Sequence, residues 1–210
     1  MRRRNPTFDE PWSASVALIA ATEVEAAALR REMPRAVVLK TGVGLVNVRQ
    51  PFPETVVSCG LAGGLRADVP TGALLLPREV QRPNGTTLMC DRKLIDALAQ
   101  GALRLGLEPI FDPLLTAETI VTGEARSYWA ARGFAGVDME TGRIEAARVA
   151  AVRVVLDTPG RELSPEWRRP LLALLKARNW PQAFWLAREA PRAARLAARV
   201  VAQGLGAYRT

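Results

Sequence analysis

Apolar and polar positions along this chain alternate between two periods. Residues 15–21 (SVALIAA) make a buried-strand pattern, and from Glu23 the spacing changes to that of a helix reaching about residue 33. Its first turn carries Glu23 and Glu25, where the helix dipole favours carboxylates. Short apolar runs recur at 37–39, 55–59, 73–76, 114–121, 136–139 and 152–156, with helical spacing at 93–105, 124–132 and 140–151. Strands alternating with helices predict an α/β domain, a three-layer sandwich whose central parallel or mixed β-sheet is covered on both faces. Beyond Asp157 the pattern is helical only, over 165–178 and 181–202, which predicts C-terminal helices.

The expected organisation is therefore a basic extension (1–14), one α/β domain (15–160) and a basic, tryptophan-containing helical segment (161–210) packed on it or appended to it. At 210 residues, half of them apolar, the chain can bury one sizeable core. The sequence lacks an apolar run of membrane-span length and a signal-like core after Met1-Arg2-Arg3-Arg4, so the expected location is the cytoplasm. Cys59 and Cys90 have no metal-ligand spacing and read as reduced structural thiols.

The chain has no histidine. That removes the usual general base and the commonest metal ligand, leaving catalysis to carboxylates, lysine, arginine, hydroxyls or backbone dipoles. No metal or organic cofactor is expected; phosphate is considered only as a co-substrate.

The net charge of +8 lies mostly in the last fifty residues, where ten arginines and lysines face three glutamates. A charge confined to one appended surface argues against a nucleic-acid partner for the whole fold. Arg188, Arg192, Arg195 and Arg199 recur at helical spacing with Trp180, Phe184 and Trp185 nearby. The stripe reads equally as a peripheral contact with the inner membrane face and as the solvated side of a packed helix.

Several polar features fall at the carboxyl ends of predicted strands, where open α/β sheets assemble their sites. They are Glu23 and Glu25, the turns ending in Gly44 and in Gly60-Leu61-Ala62-Gly63-Gly64, the run Asp138-Met139-Glu140, and Asp157. Each has a structural explanation as well: first-turn helix residues, a packing turn, a helix cap, and the start of the turn Asp157-Thr158-Pro159-Gly160. Glycines directly after strands point to backbone approaching a ligand or a neighbouring strand.

Taken in order, ALIAATEVEAAALR, KTGVG, VVSCGLAGGL, TGEA, GVDME and VRVVLD resemble the nucleoside phosphorylase and nucleosidase superfamily, especially the methylthioadenosine/S-adenosylhomocysteine nucleosidases, over residues 15–157. The tail, from DTPGRELSPEW through residues 179–199, resembles the hopanoid-associated phosphorylases, which are thought to remove adenine from adenosylhopane. The resemblance implies a phosphorylase-like fold, a homo-oligomer, and cleavage of a purine–ribose bond. By similarity Asp157 protonates the departing base, Glu25 activates the attacking water, and Glu140 holds the ribose hydroxyls over Met139. Asp138, Leu61, Gly63 and Arg126 complete the substrate-binding set, and Ser58, Gly60 and Gly44 are candidate anion ligands. Arg153 matches a strand arginine of the family or serves the structure.

Glutamate at position 25, where the phosphorylases carry an arginine, favours water over phosphate without removing phosphorolysis. The departures are Leu61 and Leu156 in place of serines, Arg126 in place of a stacking aromatic, and a shortened stretch after Pro77. A short loop there implies an open 5′ side, suited to a lipid-linked purine nucleoside. A soluble nucleosidase of the methylthioadenosine type and a non-catalytic nucleoside-binding protein are the competing expectations.

Overall fold

The computed structural model describes residues 16–48, 52–168 and 176–206. The predicted extension 1–14 and part of the predicted helix 165–178 lie outside them.

Strand β1 (Val16–Ala20) is apolar at every position, because both of its faces are covered. Val16, Leu18 and Ala20 point to one core; Ala17 and Ile19 point to another. Helix α1 (Glu23–Glu32) follows, then β2 (Val37–Lys40) and β3 (Thr55–Gly64). After these come β4 (Leu74–Leu75), β5 (Glu79–Gln81), β6 (Thr87–Met89), α2 (Arg92–Arg104), β7 (Leu114–Thr116) and α3 (Gly123–Ala130). Strands β8 (Gly136–Asp138) and β9 (Arg148–Val155) and helix α4 (Trp180–Gly206) complete the fold.

The described strands form a mixed nine-stranded sheet in the order β2-β1-β3-β8-β7-β5-β6, with β9 pairing β3 and β4. β3 is its axis: it runs parallel to β1 and β9, and its last residues, Gly63 and Gly64, pair antiparallel with β8. Helices α1, α2 and α4 cover one face through Leu29, Leu94, Leu98, Ala197 and Val201. On the other side, Trp129 and Ala130 of α3 pack on Leu65, Leu115 and Val137. The three layers and the mixed central sheet expected from the sequence are present.

The tail is integral to this core. Ala193, Ala194, Ala197, Ala198, Val200 and Val201 are buried, while Arg188, Arg192, Arg195 and Arg199 face outward. α4 crosses α2 where Gly101 meets Gly204; a Cβ on Gly101 would lie 2.4 Å from the Gly204 nitrogen. Pro191 sits within α4 and cannot donate to the carbonyl of exposed Ala187, which water can satisfy. Among the described residues, no helix is long and apolar enough to cross a membrane.

Four expectations need correction. The segment 60–64 continues β3 as a strand instead of forming a turn. The predicted helix 140–151 is a single 3-10 turn (Thr141–Arg143) followed by the start of β9, because the alanines at helical spacing belong to a strand buried on both faces. The strand predicted to reach residue 121 stops at Thr116. The two described ends of the predicted helix 165–178 are 3-10 turns (Pro165–Arg168 and Ala177–Asn179), and 169–175 lie outside the described residues. In addition, the stretch after Pro77 forms the β5–β6 hairpin, which turns at Asn84-Gly85 with Gly85 at φ 85°. Asn-Gly is the sequence signal for such a hairpin.

Candidate active site

Glu25 is placed by the end of helix α1 and by β3. Thr22 caps the helix, and its backbone N–H and hydroxyl donate to Glu25 Oε2 at 2.8 and 2.7 Å. The pattern Thr22-x-x-Glu25 is a capping box, a signal legible in the sequence. Glu25 Oε1 accepts from the backbone N–H of Leu61 at 3.0 Å. This approach requires glycine at position 60, where a Cβ would stand 2.3 Å from Oε1.

Glu140 follows β8 and is buried. Its Oε1 accepts from the N–H of Gly44 at 2.9 Å and its Oε2 from that of Met139 at 3.3 Å. Gly44 makes this contact from a tight turn in which Gly42, Gly44 and Leu45 all have positive φ. Burial, reinforced by the charge of Asp138 and opposed by that of Arg153, lifts the Glu140 carboxyl to about 7.

Asp138 differs from its neighbour. Its Oδ1 accepts from Thr116 Oγ1 at 2.6 Å, and its Oδ2 accepts from the Thr141 N–H and hydroxyl and from Arg153 Nε and Nη2 at 3.0 and 2.7 Å. Arg153 also donates to Ser58 Oγ at 2.6 Å and to Thr141 Oγ1 at 2.8 Å. Burial opposes the Arg153 charge, and Asp138, Glu140 and Glu25 more than offset that. A guanidinium in strand β9 thus pairs with Asp138 and lies within electrostatic reach of Glu140 and Glu25. Thr116 and Thr141, which complete the network, carried no signal in the linear sequence.

Asp157 begins the segment after β9. Its carbonyl accepts from Gly64 N at 2.7 Å, and its Oδ2 accepts from Arg126 Nη2 at 2.5 Å. Burial raises the Asp157 pKa, while the adjacent Arg126 charge pulls it back down. Gly63 leaves room here, since a Cβ would lie 3.0 Å from Asp157 Oδ1. Leu156 is buried beside Asp157, its carbonyl accepting from Thr71 Oγ1.

Counting acceptor sites separates these groups. An ionised carboxylate offers about four lone-pair directions. Asp138 receives five donors and is saturated; Glu25 receives three; Glu140 receives two. Of the candidate anion ligands, the Gly44 N–H is engaged by Glu140 and the Ser58 hydroxyl by Arg153. Burial pushes the thiols of Cys59 and Cys90 up to about 12, too high for nucleophilic use at neutral pH. Among the described residues, no group of three or more His, Cys, Asp or Glu is arranged to hold a metal ion.

The fold, a mixed sheet between helical layers with a long C-terminal helix, is of a phosphorylase-like α/β class. Solved structures of that class superpose along nearly the whole chain. The 5′-methylthioadenosine/S-adenosylhomocysteine nucleosidase of Neisseria meningitidis, solved with methylthio-immucillin-A, matches with a TM-score of 0.69 at 17% identity, covering 91% of this chain and 98% of that one. The Colwellia psychrerythraea 34H nucleosidase, solved with adenine, matches at 0.66 and 16%, covering 91% and 94%. Futalosine hydrolase of Helicobacter pylori matches at 0.69 and 10%, covering 91% and 97%. At these identities the likeness is one of fold. No protein-family model matches the chain, and neither does any curated protein.

Proposed function

We propose that this protein is an N-glycosidase that releases the base from a purine nucleoside bearing a large apolar 5′ substituent. The observation that carries the reading is the contrast in acceptor capacity. Asp138 is filled by protein donors, whereas Glu25 and Glu140 are buried and keep acceptor sites for a ligand.

Departure of a purine leaves a ribosyl cation and an electron-rich base, so a proton must reach the base and negative charge must face the sugar. Asp157, whose pKa burial raises, is the proton donor to the base ring nitrogen. Glu140, with two acceptor sites left, receives two ribose hydroxyls, and Met139 packs beneath the ring. Glu25, with about one site left, accepts a proton from water as that water bonds to the anomeric carbon. The electrons of the breaking carbon–nitrogen bond go to the base, which leaves carrying the Asp157 proton; solvent then restores both carboxyl groups.

Engagement of the Gly44 N–H by Glu140 favours water over phosphate as acceptor. Val43 and Val46, 41% and 76% exposed, lie one and two residues from the glycine that orients Glu140, and apolar exposure there is compatible with an apolar 5′ group. The tail's resemblance makes adenosylhopane the candidate substrate. The nucleosidases solved with adenine and with methylthio-immucillin-A support an adenine base.

The test is chromatographic. Free adenine is measured from methylthioadenosine and from an adenosine with a long 5′ alkyl group, each with and without phosphate, and the sugar product is identified. Faster, phosphate-independent release from the alkylated substrate is expected, with Asp157→Asn losing about 10²-fold or more at unchanged circular dichroism. Normal turnover by that variant overturns the mechanism, and preference for methylthioadenosine replaces the substrate class with a small soluble nucleoside.

A further inference from the structure

Arg126 on α3 is the one substitution in the site that changes charge, since an aromatic side chain was expected there from the family resemblance. Its side chain is 2% exposed and its guanidinium is spent on the protein. Nη1 donates to Gly64 O at 2.7 Å; Nη2 donates to Asp157 Oδ2 at 2.5 Å and to Val121 O at 3.1 Å; Nε reaches Val121 O at 3.4 Å. Nε also lies 3.4 Å from Glu162 Oε1, a carboxylate 31% exposed that accepts from Gly123 N at the start of α3. A guanidinium does not deprotonate in a protein, and burying one is costly unless it is paired. This one is a fixed positive charge between two carboxylates, one deep and one near solvent.

We infer that Arg126 is a positioning residue for Asp157, and that Glu162, by sharing the same guanidinium, sets how strongly Arg126 holds that carboxylate. The inference rests on the role of Asp157 given above. As the proton leaves for the base, negative charge develops on Asp157 Oδ2, where a pre-oriented guanidinium stabilises it. Too strong a hold would keep Asp157 ionised before substrate arrives. Glu162 draws part of the guanidinium's charge and moderates that hold. The described charged groups facing Asp157 are Arg126 from α3 and, through it, Glu162; β3 presents Gly63 and Gly64, and β8 presents Val137.

The two partners then act in opposite directions. Removing the positive charge (Arg126→Gln) leaves burial opposed only by the backbone N–H groups of Leu163 and Asp157 and raises the Asp157 titration midpoint by about one pH unit or more, the usual effect of an adjacent opposite charge. Removing the moderating charge (Glu162→Gln) lowers it, by about half a unit. The readout is the carboxyl-carbon NMR titration of Asp157, assigned by difference from Asp157→Asn, in the full-length protein. Because a proton donor works only when protonated, the alkaline limb of kcat/KM moves with the midpoint, up for Arg126→Gln and down for Glu162→Gln. Arg126→Lys retains the charge and is expected to fall between wild type and Arg126→Gln. Should Arg126→Gln fail to fold, Glu162→Gln decides alone. A midpoint that stays put or rises in that variant overturns the proposal. If midpoints move as stated but no purine nucleoside is cleaved, the proposed activity fails while the role of Arg126 stands.

Discussion

Alanine at Gly60 tests whether β3 is built around the Glu25 carboxylate. The three heavy atoms nearest to a Cβ at this position all belong to Glu25, at 2.3, 2.9 and 3.6 Å. The carboxylate must therefore retreat by about 1 Å to reach ordinary contact distance. Retreat breaks its bond to Leu61 N and disturbs the capping box at Thr22. A hydrogen bond to a charged group contributes about 1.5–3 kcal/mol and a helix N-cap about 1 kcal/mol, so Gly60→Ala should cost roughly 2–4 kcal/mol. In a Glu25→Ala background the added methyl meets nothing closer than ordinary van der Waals distance. There the same substitution should be neutral, or stabilising by about 0.5–1 kcal/mol, because alanine loses less backbone entropy than glycine within a strand. Urea denaturation of wild type, both single variants and the double variant measures the coupling, expected near 3 kcal/mol, at the upper end for contacting residues. An equal cost of Gly60→Ala in both backgrounds refutes the reasoning and assigns Gly60 to the sheet alone.

Two further outcomes follow from buried groups. Glu140 has its pKa raised from 4.5 to about 7, so the folded state holds this proton more tightly than the unfolded state does. Its contribution to stability is complete below about pH 4.5 and is lost as pH rises through 7, amounting to about 3 kcal/mol by pH 8. Glu140→Gln cannot ionise, so its stability relative to wild type should grow by about that amount between pH 4.5 and 8 in denaturant titrations; parallel curves would contradict the assignment. At the α2–α4 crossing, a Cβ on Gly101 meets the nitrogen and Cα of Gly204 and the carbonyl of Val200, all backbone, at 2.4–2.7 Å. Gly101→Ala should lower the unfolding free energy by about 3 kcal/mol through helix separation, and unchanged thermal and urea midpoints would show that the helices part freely.

Much of this architecture was legible because both periods are strong where elements are long. Residues 15–21 read as a buried strand, which spans Val16–Ala20, and 93–105 read as a helix, one residue off α2 at each end. Two of the misreadings, at 60–64 and 140–151, share a cause: small residues suit helix, strand and turn alike. Glu145-Ala146-Ala147-Arg148-Val149-Ala150-Ala151 carries helical spacing, yet Val149 to Val155 are buried on both faces of a sheet, a tertiary fact the local pattern cannot hold. The glycines at 60, 63 and 64 likewise announced close approach correctly and its form wrongly. They remove side chains from a strand so that Glu25, Asp157 and Val155 can press against it. In the candidate site, the acidic residues stood out in the sequence because carboxylates at strand ends are conspicuous. Thr116 and Glu162 did not, because partners 22 or more residues apart leave no periodic trace, and Thr141, three residues after Asp138, is set apart from other threonines only by the fold.

The cations divide the site along β3. Arg153 pairs with Asp138 and feels the charges of Glu140 and Glu25 at one station, while Arg126 pairs with Asp157 and Glu162 at the other. The stations meet the strand at Gly60 and Gly63, about 10 Å apart at 3.3 Å per residue. The two cations balance different carboxylates, Arg153 that of Asp138 and Arg126 that of Asp157. Glu25, bonded to three protein donors, is held as an acceptor, while Asp157 has burial raising its pKa against one guanidinium. The proposed glycosidic cleavage calls for that asymmetry, with a base on the side the water approaches and an acid where the purine departs. In a chain without histidine, both proposed roles fall to carboxylates placed by two arginines and a glycine-lined strand.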